Sequence, residues 1–186
     1  MAMTSGLVKL DACQIVVIDM QAKLSVAMPP DAMQAVIQQT ERLLQAANML
    51  SIPVIATEQY PQGLGHTLPQ LSQHLAQAPV IAKTAFSACA EPKFNAKLSR
   101  DKSQVILVGM EAHICVLQTA MDLLANHKQV FVVEDAVISR NPLNKANAIA
   151  RMRDAGCVIT NIESVLFESI SNANHDAFKA IAKLIR

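Results

Sequence analysis

The 186-residue chain has no tryptophan, one tyrosine and only five phenylalanines, so aliphatic side chains and methionine must fill its core. Neither sign of charge dominates: the chain has 16 Lys and Arg residues and 15 Asp and Glu residues, which gives a net charge of +1. This balance gives no electrostatic reason to expect a nucleic-acid partner. The length and the 52% content of hydrophobic residues predict one domain over residues 1–186.

The four cysteines lie far apart and form no CxxC pair and no zinc-finger spacing. Free thiols in a reducing compartment are therefore expected, and a disulfide scaffold is not. The first residues, MAMTSGLVKLDACQ, have neither the apolar segment of a signal peptide nor an Arg-rich amphipathic pattern. No stretch approaches the roughly 20 apolar residues of a membrane span. These absences predict a cytoplasmic protein with no membrane partner.

Six short apolar segments are present, and helical patterns separate them. The segments are CQIVVID (13–19), PVIAT (53–57), PVIAK (79–83), QVILVG (104–109), QVFVVED (129–135) and CVITN (157–161). Helices are predicted over 31–50, near 68–77, around 91–100, after Ile114, over 143–155 and over about 175–185. Strands without polar alternation, each followed by a helix, are typical of a parallel sheet covered on both faces.

Ligands of such α/β folds bind at the carboxyl ends of the strands. The sequence therefore directs attention to the polar or small residues that end each apolar segment: Asp19, Thr57 with Glu58, Lys83, Gly109 with the residues that follow it, and Asp135.

Cys115 lies in the segment GMEAHICVLQTA (109–120), where a strand runs into a helix. The first turn of a helix favours an anion, so a thiolate is expected to be stabilised there. Backbone N–H groups of the same turn could receive the developing oxyanion of an attacked carbonyl. The alternative is a small buried cysteine that only fills a gap between helix and strand.

A catalytic thiol also needs a base. His113 is only two residues from Cys115 and would point to a different helix face, so it is expected to be a pocket wall or a surface residue. Asp19 is a better candidate if its strand neighbours the strand over 104–109, because burial at a strand end raises a carboxyl pKa and improves it as a proton acceptor. The alternative is a helix or loop cap. Lys83 could hold that carboxylate and lower the pKa of the thiol, or could simply be a solvated residue at the edge of the sheet.

The segments VVIDMQ, TEQYPQGLG, AKTAFSA, VGMEAHICVLQTA and VVEDAVISR occur in this order between about 13 and 168. Together they resemble the isochorismatase-like cysteine hydrolases, and especially members whose substrate is unassigned. The resemblance implies a Rossmann-like three-layer α/β/α sandwich. We expect a six-stranded parallel sheet with the strand order 3-2-1-4-5-6.

The resemblance also implies an Asp–Lys–Cys triad, which falls on Asp19, Lys83 and Cys115. It implies a cis peptide bond between Met110 and Glu111, and an oxyanion hole formed by the backbone N–H groups of Glu111 and Cys115. A small-molecule substrate, most simply an amide, and a homo-oligomer (dimer or tetramer) are implied as well. The pocket walls are expected to be Gln21, Leu24, Gln59, Phe86, His113 and Ile114.

The chain departs from the metal-binding nicotinamidases of this family. They bind a metal through an Asp and two His residues after the second strand, where this chain has TEQYPQGLGH with Glu58, Tyr60 and one histidine, His66. A single histidine does not make a metal site. We therefore predict no metal and no cofactor, and do not expect nicotinamide as the substrate.

Three other interpretations remain open from the sequence. Cys115 could be a redox or sensor thiol with Cys89 as its resolving partner, but Asp19 and Lys83 would then have no clear role. The chain could be an oligomeric scaffold with a vestigial pocket. A dinucleotide-binding domain is the weakest interpretation, because no GxGxxG follows the first strand.

Overall fold

A computed structural model describes residues 6–75 and 77–185. Its strands are β1 Cys13–Ile18, β2 Val54–Gln59, β3 Val80–Lys83, β4 Gln104–Met110, β5 Gln129–Ile138 and β6 Val158–Thr160. The α-helices are α1 Ala22–Ser25, α2 Pro30–Leu50, α3 Pro61–Leu64, α4 Pro69–Ser72, α5 Pro92–Lys97, α6 Leu117–Ala125, α7 Pro142–Asp154, α8 Ile162–Ile170 and α9 Phe178–Ile185. A 3-10 turn covers Ala88–Ala90, and a π-helical turn covers Ala112–Val116.

All six strands form one parallel sheet in the order β3-β2-β1-β4-β5-β6. This confirms the predicted strand order. The first strand is central, and the order reverses there, because β1 pairs with β2 on one side and with β4 on the other. The carboxyl ends of β1, β2, β3 and β4 therefore meet at one edge of the sheet, where ligands bind in such folds.

The two faces of the sheet bury separate apolar layers, because successive side chains of a strand point in opposite directions. Ile15 and Val17 pack with α2, α8 and α9, while Val16 and Ile18 pack with the side of α5, α6 and α7. This arrangement is the predicted three-layer sandwich. Phe94 and Phe131 are among the largest fully buried side chains, and most of the remaining core is aliphatic, as expected from the scarcity of aromatic residues.

Local boundaries differ from the sequence-based expectation at several helices. The helix expected near 68–77 is only Pro69–Ser72, and the one expected around 91–100 is Pro92–Lys97. The helix α8 was not predicted; it begins where the Asn161 side chain accepts a hydrogen bond from the backbone N–H of Ser164. Within the ranges 6–75 and 77–185, no helix is both long enough and apolar enough to cross a membrane.

Candidate active site

Asp19 is the first residue beyond β1, and its carboxylate is fully buried. Its backbone is left-handed, with φ of 49°, a conformation that aspartate tolerates better than most residues. The backbone N–H of Asp19 still donates to Thr57 O at 3.1 Å, so the turn begins directly at the end of the ladder. The Thr57 hydroxyl on β2 donates to Asp19 Oδ1 at 2.7 Å. Two neighbouring strand ends therefore fix this carboxylate.

Lys83 is the last residue of β3, and its ammonium group is buried beside Asp19. Lys83 Nζ lies 2.7 Å from Asp19 Oδ2, and both side chains have 0% exposure. The ammonium donates to Gln59 Oε1 at 2.6 Å and to Phe86 O and Ala85 O at 3.0 and 3.3 Å. The Lys83–Asp19 contact is a buried ion pair, in which the ammonium holds Asp19 Oδ2 while the Thr57 hydroxyl holds Oδ1.

Cys115 lies in the π-helical turn between β4 and α6, and it is 5% exposed. Its thiol is 3.9 Å from Gln59 Oε1. Burial raises the pKa of Cys115, the Asp19 charge raises it further, and the Lys83 charge lowers it; the result is a pKa of about 12. The expectation of a stabilised resting thiolate is therefore wrong, because burial and the nearby carboxylate outweigh the lysine. The resting Cys115 is therefore a thiol at neutral pH.

The turn that carries the thiol is anchored by Glu111. The Met110–Glu111 peptide bond is cis, and the carbonyl of Glu111 accepts hydrogen bonds from the N–H groups of Ile114 and Val116. The Glu111 side chain is buried and accepts a hydrogen bond from the backbone N–H of Arg140 at 3.0 Å, with Arg140 Nε at 3.6 Å. The turn after β4 is thus held to the residues that follow β5.

The two glutamines of the expected pocket form a connected support. Gln21 is fully buried; its amide nitrogen donates to Gln59 O and Gly65 O, and its oxygen accepts from the backbone N–H of Gln59. The Gln59 side chain donates to Thr84 O and accepts from both Lys83 and Cys115. Gln59 Oε1 therefore lies between the ammonium and the thiol, while Gln21 fixes the backbone of Gln59.

The other expected pocket residues are more exposed. Phe86 is 53% exposed, and Leu24 and Ile114 are half-buried. His113 Nδ1 lies 2.9 Å from the Ser139 hydroxyl, and its Nε2 lies 3.4 Å from Asn144 Nδ2. Both ring nitrogens of His113 thus contact residues after β5, which agrees with a wall and not with a base for Cys115. Ser139 and Asn144 have no sequence signal of their own, because only the tertiary contact with His113 distinguishes them.

The segment after β2 is built around Glu58. Glu58 Oε1 accepts hydrogen bonds from the N–H and the hydroxyl of Thr67 at 2.7 and 2.8 Å, and Oε2 lies 3.0 Å from His66 Nδ1. This carboxylate therefore holds the loop in place. In the part of the chain that the structure describes, no three His, Cys, Asp or Glu residues gather as a metal site would require.

We expect Glu58→Gln to destabilise the protein in a pH-dependent way. Burial raises the pKa of Glu58, but hydrogen bonds from Thr67 and His66 lower it more, so the folded pKa is below the ordinary value. A depressed pKa contributes stability above the unfolded value, about 4.3, and this stability is lost as the pH falls through the folded pKa. Urea unfolding should show a loss of about 1 kcal/mol at pH 7 that shrinks below pH 4.

His66→Ala is the matched control for this prediction. The His66 side chain is 83% exposed, so its removal should change the free energy of unfolding much less than the loss of the Glu58 charge. An equal loss for Glu58→Gln at pH 7 and pH 3 would contradict the assigned role of the carboxylate.

A groove of considerable size lies away from this cluster. It has a volume of about 820 Å³ and is formed by residues 7–11 together with Phe167, Glu168, Ser169, Ser171 and His175. Residues 7–11 precede β1, so the groove is at the amino edge of the sheet, opposite to the ends that bring Asp19, Lys83 and Cys115 together. The volume of this groove therefore does not identify it as the active site.

Residues 13–164 match the isochorismatase domain model. Isochorismatase domain-containing protein 2 of Danio rerio is 41% identical over 151 residues, which cover 81% of this chain and 76% of the relative. The chain therefore belongs to the isochorismatase family.

The chain is also similar to solved structures over almost its whole length. The MAR1 ribonuclease of Caenorhabditis elegans is 40% identical with a TM-score of 0.91, over 96% of this chain and 92% of that one. YcaC from Pseudomonas aeruginosa, determined with hexane-2,5-diol and covalent acrylamide, is 26% identical with a TM-score of 0.86, over 99% and 98%. Membership in this family of hydrolases supports an enzyme of the hydrolase type.

Proposed function

We propose that the chain is a cysteine hydrolase that cleaves a small amide through a thioester on Cys115. The observation that carries the proposal is the buried Lys83–Asp19 ion pair at 2.7 Å beside the thiol, with Gln59 Oε1 between thiol and ammonium. Three strand ends that are distant in sequence supply these groups. A buried charge pair is costly, so its position beside a lone buried thiol favours a catalytic role.

The first step is a proton transfer from the Cys115 thiol to Asp19. The thiol pKa is high largely because the site is buried and the neighbouring carboxylate is charged. When the proton moves to Asp19, that repulsion disappears and the thiolate takes the place of the carboxylate as the partner of Lys83. The net charge of the three groups is unchanged, so the transfer requires no additional charge in the buried site.

The thiolate then forms a bond to the amide carbon, and the C=O electron pair moves to oxygen. We assign the backbone N–H groups of Glu111 and Cys115 as donors to this oxyanion, each contributing on the order of 100-fold or more in rate. Collapse of the intermediate breaks the C–N bond, and protonated Asp19 gives its proton to the leaving amine. Asp19 then removes a proton from water, whose oxygen attacks the thioester. The C–S bond breaks, the departing Cys115 sulfur takes the proton back from Asp19, and the acid is released.

The substrate would bind against Leu24, Phe86, His113 and Ile114. These side chains are partly exposed and are largely apolar, so they favour a small, weakly polar amide. The Pseudomonas relative was determined with covalent acrylamide, which is itself a small amide.

A homo-oligomer, cytoplasmic location and the absence of a resident metal or cofactor stay predictions.

The test is a screen of small primary amides for ammonia release, followed by acid quench and peptide mass mapping. We expect at least one amide to be turned over and the acyl group to be found on Cys115. Turnover with the acyl group on another residue would overturn the covalent assignment. RNA should be included, because the Caenorhabditis relative is described as a ribonuclease; cleavage of RNA alone would overturn the substrate class.

The redox alternative has weaker support. Cys89 is half-buried, and burial together with the Asp122 charge raises its pKa to about 11. A resolving cysteine needs thiolate character and access. Peroxide treatment should therefore give no Cys89–Cys115 disulfide, and a quantitative yield of that disulfide would favour the redox role.

A further inference from the structure

The ammonium of Lys83 depends on the loop that follows β3. Two of its contacts are to backbone carbonyls of this loop, Phe86 O at 3.0 Å and Ala85 O at 3.3 Å. A lysine side chain is long and flexible, so its head group lies where its partners hold it. The position of the loop therefore helps to set the distance between the ammonium and Cys115.

The loop is in turn bonded to helix α6. The Ser87 hydroxyl donates to Asp122 Oδ2 at 2.6 Å, and the backbone N–H of Ala88 donates to Thr119 Oγ1 at 2.9 Å. Ser87 Oγ also accepts a hydrogen bond from the backbone N–H of Cys89 at 3.2 Å. Both partners on α6 contact the segment directly after Phe86.

Thr119 follows Cys115 by four residues, which is about one helical turn or roughly 6 Å along the axis. It is fully buried. Its hydroxyl oxygen receives a hydrogen bond from another element, whereas the buried Thr40 of α2 bonds to its own helix, at Val36 O. The helical segment that begins with Cys115 therefore also holds the loop whose carbonyl oxygens accept hydrogen bonds from the Lys83 ammonium.

We propose that Thr119 and Asp122 are positioning residues, which hold the loop after β3 against α6 and so fix the Lys83 ammonium at a set distance from the Cys115 thiol. The catalytic consequence rests on the proposed function, because the ammonium matters for turnover only if Cys115 reacts as a thiolate. The geometric part does not depend on it. The field of a charge falls with distance, so release of the loop lowers the stabilisation that Lys83 gives to a thiolate.

The test is the alkylation of Cys115 by iodoacetamide and by iodoacetate between pH 7 and pH 9, followed by peptide mass mapping. The two reagents are close in size but differ in charge, so the ratio of their rate constants reports the positive field at the thiol. We expect Thr119→Val to slow alkylation by iodoacetamide about threefold or more, because less thiolate is present. The ratio of iodoacetate to iodoacetamide rates should fall as well.

Two variants serve as controls. Thr119→Ser keeps the hydroxyl and should restore both readouts to within about twofold of wild type. Thr40→Val makes the same chemical change at a fully buried threonine of α2, on the other face of the sheet, and should leave both readouts unchanged. If Thr119→Val does not fold, Ser87→Ala removes the other contact between the loop and α6, the hydrogen bond to Asp122, without changing the charge, and a lowered ratio is again expected.

An unchanged reagent ratio in folded Thr119→Val or Ser87→Ala overturns the proposal, and so does an equal fall in Thr40→Val. A more accessible thiol without a displaced lysine would speed both reagents alike. The readout consumes no substrate, so it is independent of amide turnover. Failure of the amide screen therefore contradicts the proposed function, whereas failure here contradicts only the positioning role.

Discussion

Cys115→Ala is expected to lower the rate of amide hydrolysis by about a thousandfold or more, because the nucleophile that forms the thioester is removed. The variant should fold, since the change removes one sulfur from a nearly buried position. Steady-state ammonia release at saturating amide, with thermal unfolding as the check on folding, measures the effect. Cys89→Ala is the matched control, and we expect it to keep most of the activity. Full activity in Cys115→Ala would exclude the covalent mechanism.

Asp19→Asn separates the two roles of the carboxylate, which are to accept the thiol proton and to raise the pKa of the thiol. Turnover should fall about as far as in Cys115→Ala, because an amide side chain cannot accept the thiol proton. Alkylation of Cys115 should become faster, since the Asp19 charge raises the thiol pKa and Lys83 lowers it. The two readouts thus move in opposite directions. If Asp19→Asn keeps its turnover, another group is the base.

Gly109→Ala is expected to cost more than about 4 kcal/mol of folding free energy or to prevent folding. Gly109 has a φ of +122°, and an added Cβ would overlap the carbonyl oxygen of Ile18. Ile18 is the residue opposite Gly109 in the β1–β4 pair and directly precedes Asp19. The central strands would have to separate at the point where the site is built. Urea unfolding monitored by circular dichroism measures the loss.

Gly156→Ala is the control that separates the cost of a positive φ from the cost of steric overlap between the added Cβ and a neighbouring strand. Gly156 also has a positive φ, +106°, but an added Cβ there meets no atom within 4 Å. The conformational cost alone is about 1–2 kcal/mol. Similar losses for the two variants would show that the close approach of β1 and β4 is not the source of the effect.

The parallel sheet could be predicted from the strand pattern, whereas the meeting of Asp19, Lys83 and Cys115 was implied by the resemblance to the isochorismatase-like hydrolases. Apolar strands separated by helices indicate a parallel sheet, and the carboxyl ends of such strands meet at one edge. Asp19 directly follows β1, Lys83 ends β3 and Cys115 lies in the turn after β4, so this rule directs attention to them without deciding which strands are neighbours. The strand order is confirmed by the structure, whereas the catalytic roles stay predictions.

Other properties of the site depend on three-dimensional surroundings that no local pattern contains. The direction of the Cys115 pKa shift is set by burial and by the Asp19 charge, and sequence reasoning gave too much weight to the helix terminus and to Lys83. Gln21 was expected to face a ligand, but its amide is bonded to the backbone of Gln59 and Gly65. Thr119 looks like an ordinary helix residue until its contact with Ala88 is seen.

The central position of β1 also has a consequence for synthesis on the ribosome. Cys13 pairs with Gln104 across the β1–β4 ladder, so β1 is made before its partner and stays unpaired on that side until β4 emerges. At typical elongation rates this interval is about five to twenty seconds. An apolar strand edge without a partner can recruit strands of other chains. The nascent protein is therefore most prone to aggregation before the strand that leads to its thiol has emerged.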